Sequence, residues 1–386
     1  MKKIQLLVLL AIVLLLSPHS LDAKTIKATY VIAETNESLH SNNKTGMTNN
    51  DIAFDNLIKG TPVYGTINLE PNMQYVTTKP ITIDKPIELN LNGSTIKCIN
   101  SKSVFQIQSK GVTIQNGILD LNFTTHNGIV GSSSSKLTFD NLVIRDSIPT
   151  ASNYEGGIYL KSCKDVVINQ CTFINIYNSK DPGTVDRSPA VKLVSCKNCN
   201  ITEFSAENCG IGVNIYGSEN VSVSNFIMSN INNNGFYIQA TSKNIDIKNG
   251  QINGAENGLV FNLSNYTSNT LSTTVSCGEV QFSSITNKGI SIRNGSGLAI
   301  IGCGFNKVNC AIGQSTSKTK YEGCSNIIIA ENTVSNPTGK NIFYFKNDSH
   351  MDIRNNFFKG LSAANYAIRL DNGCNNNKIY DNTGVS

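Results

Sequence analysis

The feature that most limits what this chain can fold into is a short unit that returns at a fixed interval. It is clearest from Gly212 to Gly235, GVNIYGSENVSVSNFIMSNINNNG, where the apolar runs VNI, VSV and FIM are separated by the polar turns GSE, SN and SNINNN. Period-two alternation over three to five residues, bounded by Gly, Ser and Asn, predicts three strands rather than a helix. The anchor of the unit is a small residue followed by in-out-in alternation. It recurs at Gly128-Ile129, Gly157-Ile158, Ala190-Val191, Gly212-Val213, Gly235-Phe236, Gly258-Leu259, Gly289-Ile290 and Ala311-Ile312. The base period is 22 to 23 residues, lengthened in a few units by loops, and two less regular units run from Asn341 and Asn365.

A second marker lies four residues past the start of the second strand: Asn116, Asn141, Asn225, Asn249 and Asn355. Asn tolerates the left-handed conformation and can bond the equivalent group in the units above and below. Three strands of this length cannot bury an apolar face alone, so the units must stack on one another. Leucine-rich repeats share the period but need an LxxLxLxxN pattern that is missing. The expected fold is all-β, a three-sheet parallel β-helix, whose open ends require caps. At the N-terminal end, Asp51 to Lys59 places Ile52, Phe54, Leu57 and Ile58 near helical spacing, with Asp51 as the expected N-cap of a short capping helix.

With the coil read out, the chain resembles the right-handed parallel β-helix proteins of the pectate lyase-like superfamily. In these, sheets PB1, PB2 and PB3 are joined by turns T1, T2 and T3, with an asparagine ladder at T2. In Gly212 to Gly235 the match is VNI to PB1, VSV to PB2, Ser224-Asn225 to T2 and FIM to PB3. The resemblance covers about residues 50 to 380. It is specific for fold and weak for activity, because this fold hosts several chemistries.

The N-terminus reads as a secretory signal over residues 1–23: Lys2 and Lys3, an apolar run from Ile4 to Leu16, then Leu21-Asp22-Ala23. The run is short for a bilayer span, so cleavage is expected rather than stable membrane insertion, a retained anchor being the alternative. A polar linker over 24–50 and a β-helix domain over 51–386 complete the expected organisation. Removal of the signal lowers the net charge from +5 to +4. That is too mild and too dispersed for nucleic acid, yet compatible with an acidic glycan. The expected location is exported: periplasmic, cell-surface or secreted.

In the resembled superfamily the glycan lies on the outer face of PB1, between T3 and T1 loops. Long T3 segments here are Arg145 to Gly156 and Tyr177 to Pro189; long T1 segments are Leu263 to Thr273 and Gly313 to Gly323. Alternation points Tyr159, Lys161, Lys192, Asn214, Tyr216, Tyr237, Gln239, Asn262, Ser291 and Arg293 outward along one strip. Aromatic rings stack on sugars, amides bond hydroxyls, and Lys or Arg pairs with uronate carboxylates. Substrate binding is therefore assigned to Tyr159, Asn214, Tyr216, Tyr237, Gln239, Asn262 and Arg293; a plain solvated sheet face is the competing explanation.

Glycoside hydrolysis needs two carboxyls, for which Asp181, Asp186 and Glu155 are the available residues. The polygalacturonase-like series NTD, DD, GHG and RIK is missing, as is a DPHD motif of the mannuronan epimerase type. Lyase chemistry instead needs a base beside the proton α to a uronate carboxyl and a cation for the enolate-like intermediate. Lys161, Lys192, Asp186 and Arg187 are the catalytic candidates, with Lys161 expected to crowd Lys192 and lower one pKa. No carboxylate cluster points to a metal, and no cofactor is specified. Eleven Cys occur, Cys163 and Cys196 at matching positions (SCKD and SCKN), with Cys324 and Cys374 in the same expected row. A thiol ladder or a coil-to-coil disulfide fits that row, and no His accompanies it for thiol catalysis. The expected function is binding, and cleavage or modification by lyase-type chemistry, of an acidic polysaccharide on PB1; a noncatalytic glycan-binding scaffold is the alternative.

Overall fold

A computed structural model of the 386-residue chain describes residues 29–31, 50–147, 156–176, 188–263, 275–314 and 324–385. Three parallel ladders wind around one apolar interior. PB1 runs from Ile81–Ile83 through Ile158–Lys161, Pro189–Val194 and Ile211–Tyr216 to Asn341–Lys346 and Tyr366–Asp371. PB2 starts with Thr29–Val31 on Thr66–Asn68, so the stretch read as a linker also contributes a rung, and it ends at Lys378–Tyr380. PB3 extends from Gln74–Thr77 to Thr383–Val385.

The anchor residues are in register. Ile129, Ile158, Val191, Val213, Phe236, Leu259, Ile290 and Ile312 pair in that order up the PB1 ladder. Sterics explain why a small residue precedes each. A Cβ on Gly157 would lie 2.5 Å from Ala190 O and against the Phe173 ring, and one on Gly258 would lie 2.5 Å from Gly289 O and against Phe282. The missing side chain makes room for a large PB3 residue of the same coil. Where the anchor is Ala190, the register equivalent of Phe173 is Ala206.

Each marker asparagine has a left-handed backbone, with φ of 60° at Asn116, 49° at Asn141, 55° at Asn225, 53° at Asn249 and 53° at Asn355. Asn141 Nδ2 donates to Asn116 Oδ1 at 3.0 Å. Longer side-chain ladders lie elsewhere. At the start of PB2, Asn198 bonds Asp165, Asn220 bonds Asn198 and Asn244 bonds Asn220, at 2.9–3.0 Å. At T2 the interior ladder is made by the residue after the marker: Asn332 Nδ2 donates to Asn356 Oδ1 at 2.9 Å and Asn356 Nδ2 to Asn382 Oδ1 at 2.8 Å. In earlier coils that interior place is filled by the stacked rings of Phe204 and Phe226. A buried amide is tolerated only when its partners are supplied, which stacking in register does.

Helix α1, Asp51–Gly60, closes the N-terminal end with Phe54 and Ile58 buried, Phe54 edge-on to Tyr75. The N-cap is Asn50 rather than Asp51. Asp51 instead sits in the first turn, where its carboxylate accepts from Thr78 N and Oγ1 and faces the positive end of the helix dipole. Ile52 is 75% exposed, so the buried stripe is narrower than its spacing implied.

None of the eleven cysteines forms a disulfide among the described residues. Cys163 and Cys196 stack in one interior row with Ser218 and Ser242. Cys324 shares the equivalent row with Cys374, with Asp348 in the coil between them.

Candidate functional site

Alternation sets two outward rows on PB1. The first is Tyr159, Lys192, Asn214, Tyr237, Val260 and Ser291; the second is Lys161, Val194, Tyr216, Gln239 and Asn262. They floor a cleft of about 550 Å³ lined by Tyr159, Lys192, Asn214, Tyr216, Tyr237, Gln239 and Arg293 together with Asn233, Asn234, Glu256 and Asn257. Seven of the residues singled out in the sequence therefore meet in one cavity. Asn262 lies just beyond it and donates Nδ2 to Tyr237 Oη at 3.3 Å. Lys161 is exposed on the flank and does not line the cleft. Asp186 and Arg187 lie outside the described residues, as do Asp181 and Glu155 and most of the four long loop segments.

Within the cleft the polar groups are partly committed. Gln239 Nε2 donates to Asn214 Oδ1 at 3.0 Å, and buried Asn257 Nδ2 donates to Asn234 Oδ1 at 3.0 Å. The Lys192 ammonium lies 5.1 Å from the centroid of the Tyr159 ring, a cation–π contact, rather than against Lys161. Burial raises the Tyr159 phenol above its ordinary range, with nearby Cys196 adding to it. Two buried polar atoms of the cleft residues have no hydrogen-bond partner among the described residues: Arg293 Nε, a donor, and Asn257 Oδ1, an acceptor.

Arg293 reaches the cleft through a backbone irregularity. Phe261 pairs with Ile292 but Asn262 pairs with Asn294, so Arg293 is an extra residue, and a bulge of this kind re-aims the side chain it carries. The register also separates the cations. Lys192 and the coil of Arg293 are four rungs apart, about 19 Å at a strand spacing of roughly 4.8 Å. They cannot act on one atom.

Glu256, Asn233, Asn234 and Asn257 were not singled out from the sequence, because alternation assigns no direction to residues in a turn. A signal existed nonetheless: Asn234-Gly235 and Asn257-Gly258 repeat an Asn-Gly pair at the same place in successive coils, and they stack. Cys163 and Cys196 offer no nucleophile. The neighbouring thiol and burial push Cys163 far above the ordinary range, and Cys196, lowered by the Cys163 thiol, is nonetheless raised to about 12 by Cys199 and burial. Among the described residues, no group of His, Cys, Asp and Glu is arranged to hold a metal ion, and no helix is long and apolar enough to cross a membrane.

Fold and cleft together define a right-handed parallel β-helix protein with a polar, aromatic groove on PB1. The model of the right-handed β-helix region matches residues 127–278. The chain is similar in structure to the Dettilon tailspike protein, at 14% identity over 87% of this chain and 65% of that one, with a TM-score of 0.54. It thus spans just under two thirds of that tailspike. It is similar also to the endo-xylogalacturonan hydrolase of Aspergillus tubingensis, at 11% identity over 92% and 100% of the two chains and a TM-score of 0.56. A third is the E. coli bacteriophage HK620 tailspike mutant solved in complex with a pentasaccharide, at 12% identity over 84% and 75%, TM-score 0.53. At such identities the likeness is one of fold. No curated protein sequence matches the chain significantly.

Proposed function

We propose that the protein is an exported β-helix protein that binds an acidic polysaccharide in the PB1 cleft and cleaves or modifies it. The observation that carries this reading is a cavity walled by Tyr159, Tyr216 and Tyr237 and lined by Arg293 and Asn257, whose Nε and Oδ1 atoms are buried without a partner. A buried polar atom left unsatisfied costs about 1–3 kcal/mol, a cost removed when a ligand supplies the bond. A guanidinium matches a carboxylate, an amide oxygen accepts from a hydroxyl, and tyrosine faces suit pyranose rings. A ligand with carboxylates, hydroxyls and ring faces is an acidic sugar chain. The saccharide-related neighbours support the same class of ligand.

Lyase-type elimination is the chemistry proposed. A base removes the proton on the carbon bearing the carboxylate, and the glycosidic C–O bond at the next carbon breaks. The leaving oxygen takes up a proton, leaving an unsaturated sugar and a new reducing end. Lys192 is the base proposed at the cleft, and Lys161, Asp186 and Arg187 are the other catalytic candidates. Glu256 is the one carboxylate among the described lining residues, which favours elimination over two-carboxyl hydrolysis. Purified protein incubated with a panel of uronate-containing polysaccharides should raise both ultraviolet absorbance and reducing ends. Binding without either product would replace the enzyme by a noncatalytic glycan-binding scaffold.

A further inference from the structure

The distribution of charge along the cleft floor carries information about the ligand that its composition alone does not. The outward rows over the five coils from Lys192 to Ser291–Arg293 hold a described cation at each end and none between, Lys161 lying one coil before Lys192 and outside the cleft. The intervening floor is Asn214, Tyr216, Tyr237 and Gln239, which offer amides, hydroxyls and ring faces. The nearby basic residue Lys288 is 8% exposed, donates to Asn287 Oδ1 at 3.2 Å and does not line the cleft. Glu256 lines the same cavity in the coil before Arg293 and adds negative charge between the two cations.

Resting on the acidic-glycan reading above, we infer that the cleft selects a sparsely acidic heteropolysaccharide, with neutral sugars between its uronates, over a homopolyuronate. A chain lying along PB1 places roughly one pyranose on each coil, since the ring is comparable in length to the strand spacing. Lys192 and Arg293, four rungs apart, then read acidic sugars one tetrasaccharide repeat apart. A homopolyuronate would set carboxylates over Tyr237 and beside Glu256, where no described floor residue pairs with them. Like charge next to a half-buried carboxylate opposes binding, whereas a neutral sugar there donates its hydroxyls to Asn214, Gln239 and Glu256. The two terminal cations set which polymer fits, and the neutral middle supplies contact area.

The test is equilibrium binding of the full chain, at one fixed salt concentration, to three probes. These are deacylated gellan, a linear polymer with one glucuronate per tetrasaccharide repeat; the same polymer with its carboxyls reduced; and polygalacturonate. Gellan should bind at least tenfold tighter than either of the others. Lys192→Gln and Arg293→Gln should each bring gellan down to the level of its reduced form. Glu256→Gln should raise affinity for polygalacturonate several-fold, a gain that misfolding does not produce. Polygalacturonate bound as tightly as gellan, with both bindings lost in Tyr237→Ala, would overturn the spacing rule and leave the glycan cleft standing. No binding of any probe by the wild-type chain, or binding indifferent to Tyr237→Ala, would remove both.

Discussion

Among the described residues, two clefts of nearly equal size lie on different faces, about 550 Å³ on PB1 and about 500 Å³ beside PB2 and T2. The second is lined by Asp246, Lys248, Glu279, Glu331 and the backbone around Cys277 and Gly302. Its Asp246 is held by its neighbours: Lys248 Nζ lies 3.0 Å from Asp246, and Ser276 Oγ donates to Asp246 at 2.6 Å. No aromatic residue lines it. The PB1 cleft instead has three tyrosines and two buried polar atoms still short of a partner. The contrast teaches that volume does not mark a binding site here; unspent hydrogen-bonding capacity beside ring faces does.

That contrast is broken most directly on the PB1 side. Removing an aromatic anchor or a buried guanidinium from a binding site typically costs 2 kcal/mol or more, about thirtyfold. Tyr237→Ala and Arg293→Gln are therefore expected to weaken polysaccharide binding by that order in titration calorimetry. Asp246→Asn and Lys248→Gln, in the other cleft, should leave it unchanged. An equal loss from both pairs would end the distinction between the clefts.

A next, somewhat smaller effect tests whether the PB1 floor depends on the glycine anchors beneath it. A Cβ at Gly235 meets Gly258 O at 2.5 Å and Ile252 Cδ1 at 2.6 Å, so Gly235→Ala should destabilise the fold by about 1–3 kcal/mol. Gly60→Ala, where nothing lies within 4 Å, should not. Thermal melts compare the two.

The third concerns the interior behind the two faces. Asp348, 1% exposed in the row of Cys324 and Cys374, is raised from the ordinary 3.8 to about 6, burial outweighing the amide hydrogen bonds it accepts. Between those values the native state holds the proton more tightly than the unfolded chain. Stability from this group therefore grows as pH falls through about 6 and is lost as pH rises through it, by up to about 1.4 kcal/mol per unit. Asp348→Ser, which copies Ser218 and Ser242 in equivalent rows, should flatten that slope in melts between pH 7 and 4.5.

The smallest effect is expected on PB2, where half-buried Glu219 joins the exposed Lys197 and Lys243 at 3.0 Å each. These two lysines hold its carboxyl below the usual range, so their contribution is present near neutrality and lost on acidification. Glu219→Gln should barely move the melting temperature and leave glycan binding intact, because exposed pairs are screened. A large loss of binding would mean that the charged PB2 row, too, faces a ligand.

Much of the fold was legible in the chain itself. The eight anchors from Gly128 to Ala311 predicted the PB1 register rung by rung, and the marker asparagines predicted the left-handed T2 turns. The candidate site was legible where it lies on strands: Tyr159, Lys192, Asn214, Tyr216, Tyr237, Gln239 and Arg293 all line the cleft. It was not legible at the corners. The N-cap moved from Asp51 to Asn50, the interior amide ladder moved one residue past the marker, and Lys161 stayed on the flank because its row neighbour Val194, not Lys192, sits directly opposite.

By itself the sequence determined the three-strand coil, its period, its direction of stacking and which strand residues face out. Alternation and the need for a small anchor act between adjacent coils, so they are written in every repeat. Only the tertiary structure decided that Glu256, Asn233, Asn234 and Asn257 turn into the cleft, that a bulge carries Arg293 there, and that two polar atoms of the described cleft residues are buried without partners. Those outcomes depend on how turns from different coils pack against one another, and no periodicity along the chain encodes the direction of a side chain at a corner.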